Sequence, residues 1–203
     1  MTEPRVYVVE DDEAVRDSLQ LLLKTEGYKV ASYPEAASFL EAWSPSLNGC
    51  IVLDIRMPGM SGMDLQKELV SRGSELPIIF VTGHGDVPLA VEAMQLGAVD
   101  FVQKPYRDQE LLDKIRKAME LDAQRQDVRV EKQEIQRRMD TLTPREREIM
   151  EMMIDGNANK VIAIDLNISQ RTVEIHRSRV MQKMGTHSLA QLVRMVMLVR
   201  DSA

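Results

Sequence analysis

The chain has 203 residues, 44% of them hydrophobic and 29% charged, which suits a globular protein with material for two small domains. Its net charge of −6 is uneven, since residues 1–120 carry 20 acids and 12 bases whereas residues 121–203 carry 12 acids and 14 bases. A polyanion is thereby excluded as a partner of the first part's general surface and allowed at a local patch of the second.

The first part alternates strand-like and helix-like stretches. Arg5–Val9 reads as a strand ending in Glu10-Asp11-Asp12, and Ala14–Glu26 has helical spacing through Val15, Leu19, Leu22 and Leu23 up to Gly27. Tyr28–Tyr33 is predicted as the second strand, and Pro34 as the opening of a helix to about Trp43. The run Cys50-Ile51-Val52-Leu53 reads as a buried third strand that stops at Asp54, before the turn Met57-Pro58-Gly59. A helix from about Gly62 to Arg72 precedes a fourth strand, Pro77–Val81, which ends in Thr82-Gly83-His84-Gly85. Asp86 can cap the next helix, and Val99–Val102 is the fifth strand, closed by Lys104-Pro105.

Such alternation predicts an α/β fold with a doubly wound, five-stranded parallel sheet, whose ligand site lies beyond the carboxyl ends of the strands. Glu10 and Asp11 follow strand one, Asp54 strand three, Thr82 strand four and Lys104 strand five, so the candidate chemistry collects at one edge. Three carboxylates held close together repel one another unless a cation joins them. An all-oxygen set without His or Cys selects a hard ion, with Mg²⁺ the first choice. The Lys104 ammonium and the Thr82 hydroxyl, on the other side, would neutralise a transferring phosphoryl group while Asp54 attacks it. His84, between two glycines, could serve as a catalytic base but reads better as a loop residue, and Cys50, the single cysteine, reads as core packing.

Glu10-Asp11, Asp54 with Met57-Pro58-Gly59, Thr82-Gly83 and Phe101-Val102-Gln103-Lys104-Pro105 together resemble the receiver domain of two-component response regulators, over about residues 4–120. The resemblance implies a flavodoxin-like fold with Asp54 as phosphoacceptor and Lys104 as phosphate clamp. It also implies a Mg²⁺ site made of Glu10, Asp11, Asp54 and the Arg56 carbonyl, a switch pair Thr82 and Phe101, and a cis bond at Lys104-Pro105. Glu10 stands where many members have Asp. A haloacid-dehalogenase-like phosphatase would need a second acid at position 56, where this chain has Arg56, and an acidic first turn would repel the pyrophosphate of a dinucleotide.

From Tyr106 to about Met139 there is neither Gly nor Pro, which predicts a helix of roughly 33 residues and about 50 Å. Leu111, Leu112, Ile115 and Met119 would pack on the sheet. Leu121, Val128, Ile135 and Leu142 then recur seven apart, which fits either a weak dimer-forming helix or a solvated spacer, because Arg125 and Lys132 fill the companion positions. Thr143-Pro144-Arg145-Glu146 spells a helix start and Gly156 its end; Asn159 to about Leu166 is a second short helix. Ser169 can cap a third helix, Gln170–Met184, stopped by Gly185, and Leu189–Val199 forms a fourth with Leu192, Val196 and Val199 inward. Two short helices joined by a tight turn suggest a helix-turn-helix in a small all-α domain. On the third helix Val173, His176, Val180 and Met184 would face inward, and Arg171, Glu174, Ile175, Arg177, Ser178 and Lys183 would lie on or beside the outer face. Cations there can meet phosphates, Glu174 can accept from cytosine and Ile175 can touch a thymine methyl, although a solvated charged face would look the same.

Leu142-Thr143-Pro144-Arg145-Glu146-Arg147-Glu148, Asn159-Lys160-Val161-Ile162-Ala163, Ile168-Ser169 and Arg171-Thr172-Val173-Glu174-Ile175-His176 look like a LuxR-type DNA-binding domain. The whole chain resembles the NarL/FixJ family of response regulators, in its FixJ-like branch. That resemblance implies a receiver at 1–120, a helical linker at 121–139 and a DNA-binding domain at 140–203. Lys160, Arg171, Thr172 and Arg177 become backbone contacts, and Glu174, Ile175 and Ser178 base readers. The implied function is a phosphorylation-activated transcription regulator, an activator rather than an enzyme. Its implied partners are a sensor histidine kinase, promoter DNA, RNA polymerase and, once phosphorylated, a second copy of the chain. The rival class is a phospho-dependent interaction switch or phosphate sink with no sequence-specific DNA binding. No apolar run approaches the roughly 18 residues of a membrane span and the N-terminus lacks a signal-peptide pattern, so the expected location is the cytoplasm.

Overall fold

The computed structural model describes residues 3–83 and 87–200. His84 and Asp86, the expected loop residue and helix cap, lie outside the described residues. Strands β1 (Arg5–Val9), β2 (Val30–Tyr33), β3 (Gly49–Asp54), β4 (Ile78–Thr82) and β5 (Asp100–Gln103) alternate with helices α1 (Glu13–Thr25), α2 (Ala36–Ala42), α3 (Gly62–Ser71), α4 (Val87–Gln95) and α5 (Asp108–Asp140). Every strand pair is parallel and the order is β2-β1-β3-β4-β5. Parallel neighbours require helical crossovers, which cover both faces and make both faces apolar. Tyr7 and Val9 therefore pack with Phe39, Leu53, Leu65 and Phe80 on one side, while Val6 and Val8 pack with Leu23, Val52, Leu111 and Ile115 on the other. The strand order reverses between β1 and β3, which opens the crevice beside their carboxyl ends.

Several element starts differ from the sequence reading by one or two residues, and two of them have a clear local cause. Pro34 does not open α2, because Glu35 is still extended at φ −155° and the helix begins at Ala36. Tyr28 does not belong to β2, because its N–H closes the turn after α1 by donating to the Leu23 carbonyl, so the strand starts at Val30.

The chain divides into two compact units, Met1–Gln126 and Asp127–Ala203, and α5 is one 33-residue helix that runs through the division. Within the first unit, buried Asp122 accepts from the Gly49 N–H at 2.7 Å, and Arg125 donates to the Glu75 carbonyl. Within the second, Ile135 and Met139 join Leu142, Ile149, Val173, Val180, Leu192 and Val196 in a single core. Ile135 and Leu142, two of the four residues spaced by seven, are thus taken up by packing inside the chain, and Val128 is exposed.

Four helices follow α5: α6 (Pro144–Ile154), α7 (Asn159–Asp165), α8 (Gln170–Met184) and α9 (Leu189–Arg200). Leu192 and Val196 are buried and Val199 is half-buried against the same core. Thr143 and Glu146 close a reciprocal capping box on α6. Ser169 caps α8, and Gly185 ends it at φ 67°. A side chain at 185 would also meet the Arg138 guanidinium at 2.7 Å, which donates to the Met184 carbonyl at the end of α8. No described helix is long and apolar enough to cross a membrane.

Buried Glu146 also accepts from Lys183 Nζ at 2.6 Å, and this bond together with the Thr143 N–H holds its carboxyl down at about 2. A depressed carboxyl contributes stability above its ordinary value near 4.5 and loses that contribution as pH falls toward about 2. Glu146→Gln is expected to cost about 1 kcal/mol at pH 7, since the amide can keep the cap but not the charged bond. Thermal melts followed by circular dichroism should show the gap between variant and parent closing progressively below about pH 4.5.

Candidate functional site

The carboxyl ends of the strands present the predicted groups in spatial order. Glu10 and Asp11 leave β1 next to Asp54 on β3, since Val9 is level with Leu53. Asp54 is level with Val81, which puts Thr82 one residue further out, and Thr82 is level with Gln103, which puts Lys104 just beyond the sheet. The Lys104 N–H donates to the Thr82 carbonyl at 2.7 Å and so continues the ladder past β5. The peptide from Lys104 to Pro105 is cis.

Glu10 and Asp54 are buried, Asp11 is exposed, and one oxygen from each lies within 4.8 Å of the others. Lys104 was expected to stand across from the acids. Instead its long side chain bridges two of them, with Nζ 2.9 Å from Glu10 Oε2 and 2.8 Å from Asp54 Oδ2. The other Asp54 oxygen accepts from the Arg56 N–H at 3.0 Å, which fixes the plane of the carboxylate. Burial pushes the Glu10 carboxyl up to about 7 despite the opposing hydrogen bond from Lys104, and the nearby Asp54 charge adds to the rise. Burial alone would lower the Lys104 ammonium, but hydrogen bonds to Asp54 and Glu10 outweigh it and raise it. Three carboxylates thus share the neighbourhood of one ammonium. An all-oxygen donor set of three carboxylates fits a hard divalent ion such as Mg²⁺.

Thr82 is buried, with its hydroxyl 3.4 Å from the Gly83 carbonyl. Phe101 is half-buried against the core on the Phe39 side of the sheet, level with Phe80. The spacing of polar residues gave no sign of Gly62. The first residue of α3 sits so close to β3 that a Cβ would stand 2.1 Å from the Asp54 carbonyl oxygen, and its N–H donates to the Ile55 carbonyl. Ser61 caps the same helix. A second glycine three residues after the Pro58-Gly59 turn, directly behind the capping Ser61, is the one sequence signal that could have pointed there.

In the second unit α8 buries Val173, Val180 and Met184. His176 is half-buried, with Nδ1 shielded and without a hydrogen-bond partner among the described residues. Arg171, Glu174, Ile175 and Ser178 are exposed on α8, Arg177 and Thr172 are half-buried, and Lys160 is exposed on α7. Thr172 also bonds the capping Ser169, 2.8 Å between hydroxyls. Lys183 is not on the outer face, because its ammonium turns to Glu146 and to the Thr141 carbonyl. The exposed face thus keeps Arg171, an acid, an aliphatic residue and a hydroxyl together with Arg177 half-buried beside them, while Arg145 donates to the Leu166 carbonyl in the turn between α7 and α8.

Residues 6–116 match the family described as response regulator receiver domain, and residues 140–196 match bacterial regulatory proteins of the luxR family. The transcriptional regulatory protein FixJ of Azorhizobium caulinodans is 48% identical over 193 residues, covering 95% of this chain and 92% of its own length. The solved structure of response regulator StyR superposes with a TM-score of 0.86 at 42% identity, covering 96% of this chain and 98% of that one. Full-length FixJ from B. japonicum gives a TM-score of 0.59 at 44% identity, with 99% of both chains covered. The chain belongs to the two-component response regulators of the FixJ type, phosphorylation-dependent transcription regulators that join a receiver to a LuxR-type DNA-binding domain.

Proposed function

We propose that Asp54 is the residue that takes the phosphoryl group, within a receiver over 1–120 joined by 121–139 to a DNA-binding domain over 140–203. The observation that carries this reading is the juxtaposition of Glu10, Asp11 and Asp54 within 4.8 Å, with Lys104 at 2.8 Å from the Asp54 carboxylate. The donor is the phosphohistidine of a sensor kinase. An Asp54 oxygen attacks phosphorus, the phosphorus–nitrogen bond breaks, and the leaving imidazole keeps the electron pair and takes up a proton. The Arg56 N–H holds the Asp54 carboxylate in place, and Lys104 Nζ is close enough to follow the charge onto the phosphoryl oxygens. Glu10, Asp11, Asp54 and the Arg56 carbonyl would hold Mg²⁺, which when bound supplies the positive charge needed to gather carboxylates and phosphoryl oxygens together.

The phosphoryl group carries about −1.5 to −2 charges in place of the single carboxylate charge of Asp54, so the site becomes more negative by up to about one charge and gains three acceptor oxygens. Thr82, one residue past the strand position beside Asp54, turns its hydroxyl to the phosphoryl group, and Phe101 moves inward behind it. Reversing a 1:99 equilibrium takes about 5.5 kcal/mol of differential stabilisation, much of which a phosphoryl group with metal and lysine contacts can supply. The activated chain forms a homodimer and sets two copies of α8 on half-sites about one DNA turn apart. Lys160, Arg171, Thr172 and Arg177 contact the backbone; Glu174, Ile175 and Ser178 read bases; and the bound dimer engages RNA polymerase at the promoter, in the cytoplasm.

Sedimentation velocity of the full chain in Mg²⁺ and beryllofluoride, an aspartyl-phosphate mimic, should show a monomer becoming a dimer, and Asp54→Ala should stay monomeric. On DNA, Arg171→Ala should weaken operator and random sequence alike and flatten the salt dependence, with the slope of log K against log salt falling by about one. Ile175→Ala should instead lose operator preference by about 1 kcal/mol or more and leave that slope unchanged.

A further inference from the structure

Arg16 lies on α1, one turn past the acidic turn, and its guanidinium reaches back to the main chain. Nη1 donates to the Glu10 carbonyl at 2.8 Å and to the Asp11 carbonyl at 3.1 Å. It takes part in no ion pair among the described residues, although three carboxylates stand nearby. An arginine paired to those carboxylates would occupy the oxygens that a metal ion needs. One bonded only to the two carbonyls leaves the oxygens free and fixes the peptides that carry them. Asp11 depends most on such a support, because its carboxylate is exposed and accepts no hydrogen bond from a described residue. Its direction follows from the main chain alone. The rest of the turn is held by the Glu10 N–H on the Tyr33 carbonyl and by the Asp12 side chain, which caps α1 through the N–H groups of Ala14 and Val15.

We infer that Arg16 is a positioning residue for the metal site, orienting the Glu10 and Asp11 carboxylates through their own backbone carbonyls. The inference rests on the proposed Mg²⁺ site and assigns it a supporting group outside the ligand set. Supports of this kind typically change metal affinity by about 10- to 100-fold when removed.

Isothermal titration of the full chain with MgCl₂, beside thermal melting in metal-free buffer, tests it. Arg16→Gln should bind Mg²⁺ about 10-fold more weakly than the parent, and Arg16→Lys, whose ammonium keeps one of the two bonds, should fall in between. Parent-like Mg²⁺ affinity in Arg16→Gln, whatever its melting temperature, would overturn the inference and leave Arg16 a helix-packing residue. Should Arg16→Gln not fold, Arg16→Lys decides alone, with a Kd about two- to fivefold weaker expected and an unchanged Kd contradicting. Asp11→Asn separates the two levels. Mg²⁺ binding that it abolishes establishes the site on which Arg16 acts, whereas a parent protein with no Asp11-dependent binding overturns the site and the inference together.

Discussion

Like charges buried side by side are unfavourable unless a counter-charge is buried with them, and in this chain Glu10 and Asp54 are buried around a single ammonium, that of Lys104. Three strands must end at the same level for that to happen. β1 delivers Glu10, β3 delivers Asp54, and β5, two strands away across β4, delivers a side chain long enough to return. The balance is incomplete, because burial still pushes the Glu10 carboxyl up to about 7 with the ammonium 2.9 Å away. A strongly shifted carboxyl beside a second buried carboxylate is the kind of electrostatic strain that collects at functional sites. The buried apolar runs of β1, β3 and β4 hold the strand ends that carry these groups in place.

The second unit solves a different problem, which is to hold one helix still while leaving a face of it bare. Ser169 fixes the start of α8, and Arg138 fixes its end by donating to the Met184 carbonyl, a favourable place for a cation at a helix C-terminus. Lys183 ties the same end to Glu146, and Val173, Val180 and Met184 anchor the inner face. Residues 121–203 carry a slight positive balance and residues 1–120 an acidic one, so a polyanion is better matched to the second part than to the first. Because Ile135 and Met139 lie in this core, the last turns of α5 belong to it physically.

Much of this was legible because the signals were local. Four of the five strands ran into polar residues after an apolar stretch, so Glu10, Asp11, Asp54, Thr82 and Lys104 could be assigned to one edge before any coordinate was known. Ser169 and Gly185 bounded α8 at the residues where it begins and ends. What stayed hidden depended on contacts distant in sequence. Lys183 has helical spacing that allows the outer face, yet Glu146, 37 residues earlier, draws it away. Ile135 and Leu142 look alike whether a seam pairs two chains or a core fills within one. The close approach of Gly62 to the Asp54 carbonyl depends on how α3 docks on β3, which no periodicity encodes. Pro34 is compatible with a helix start but does not require one, and the extended Glu35 delays the start to Ala36.

The central claim is that Asp54 accepts a phosphoryl group with the help of the groups gathered around it. Intact-mass and peptide spectrometry of the full chain after incubation with a phosphorylated partner kinase and Mg²⁺ tests it most directly. The account predicts the gain of one phosphoryl group, mapped to the peptide containing Asp54, labile to hydroxylamine as an acyl phosphate must be, and absent from Asp54→Asn. A phosphoryl group that forms elsewhere, resists hydroxylamine, or persists in Asp54→Asn would contradict it.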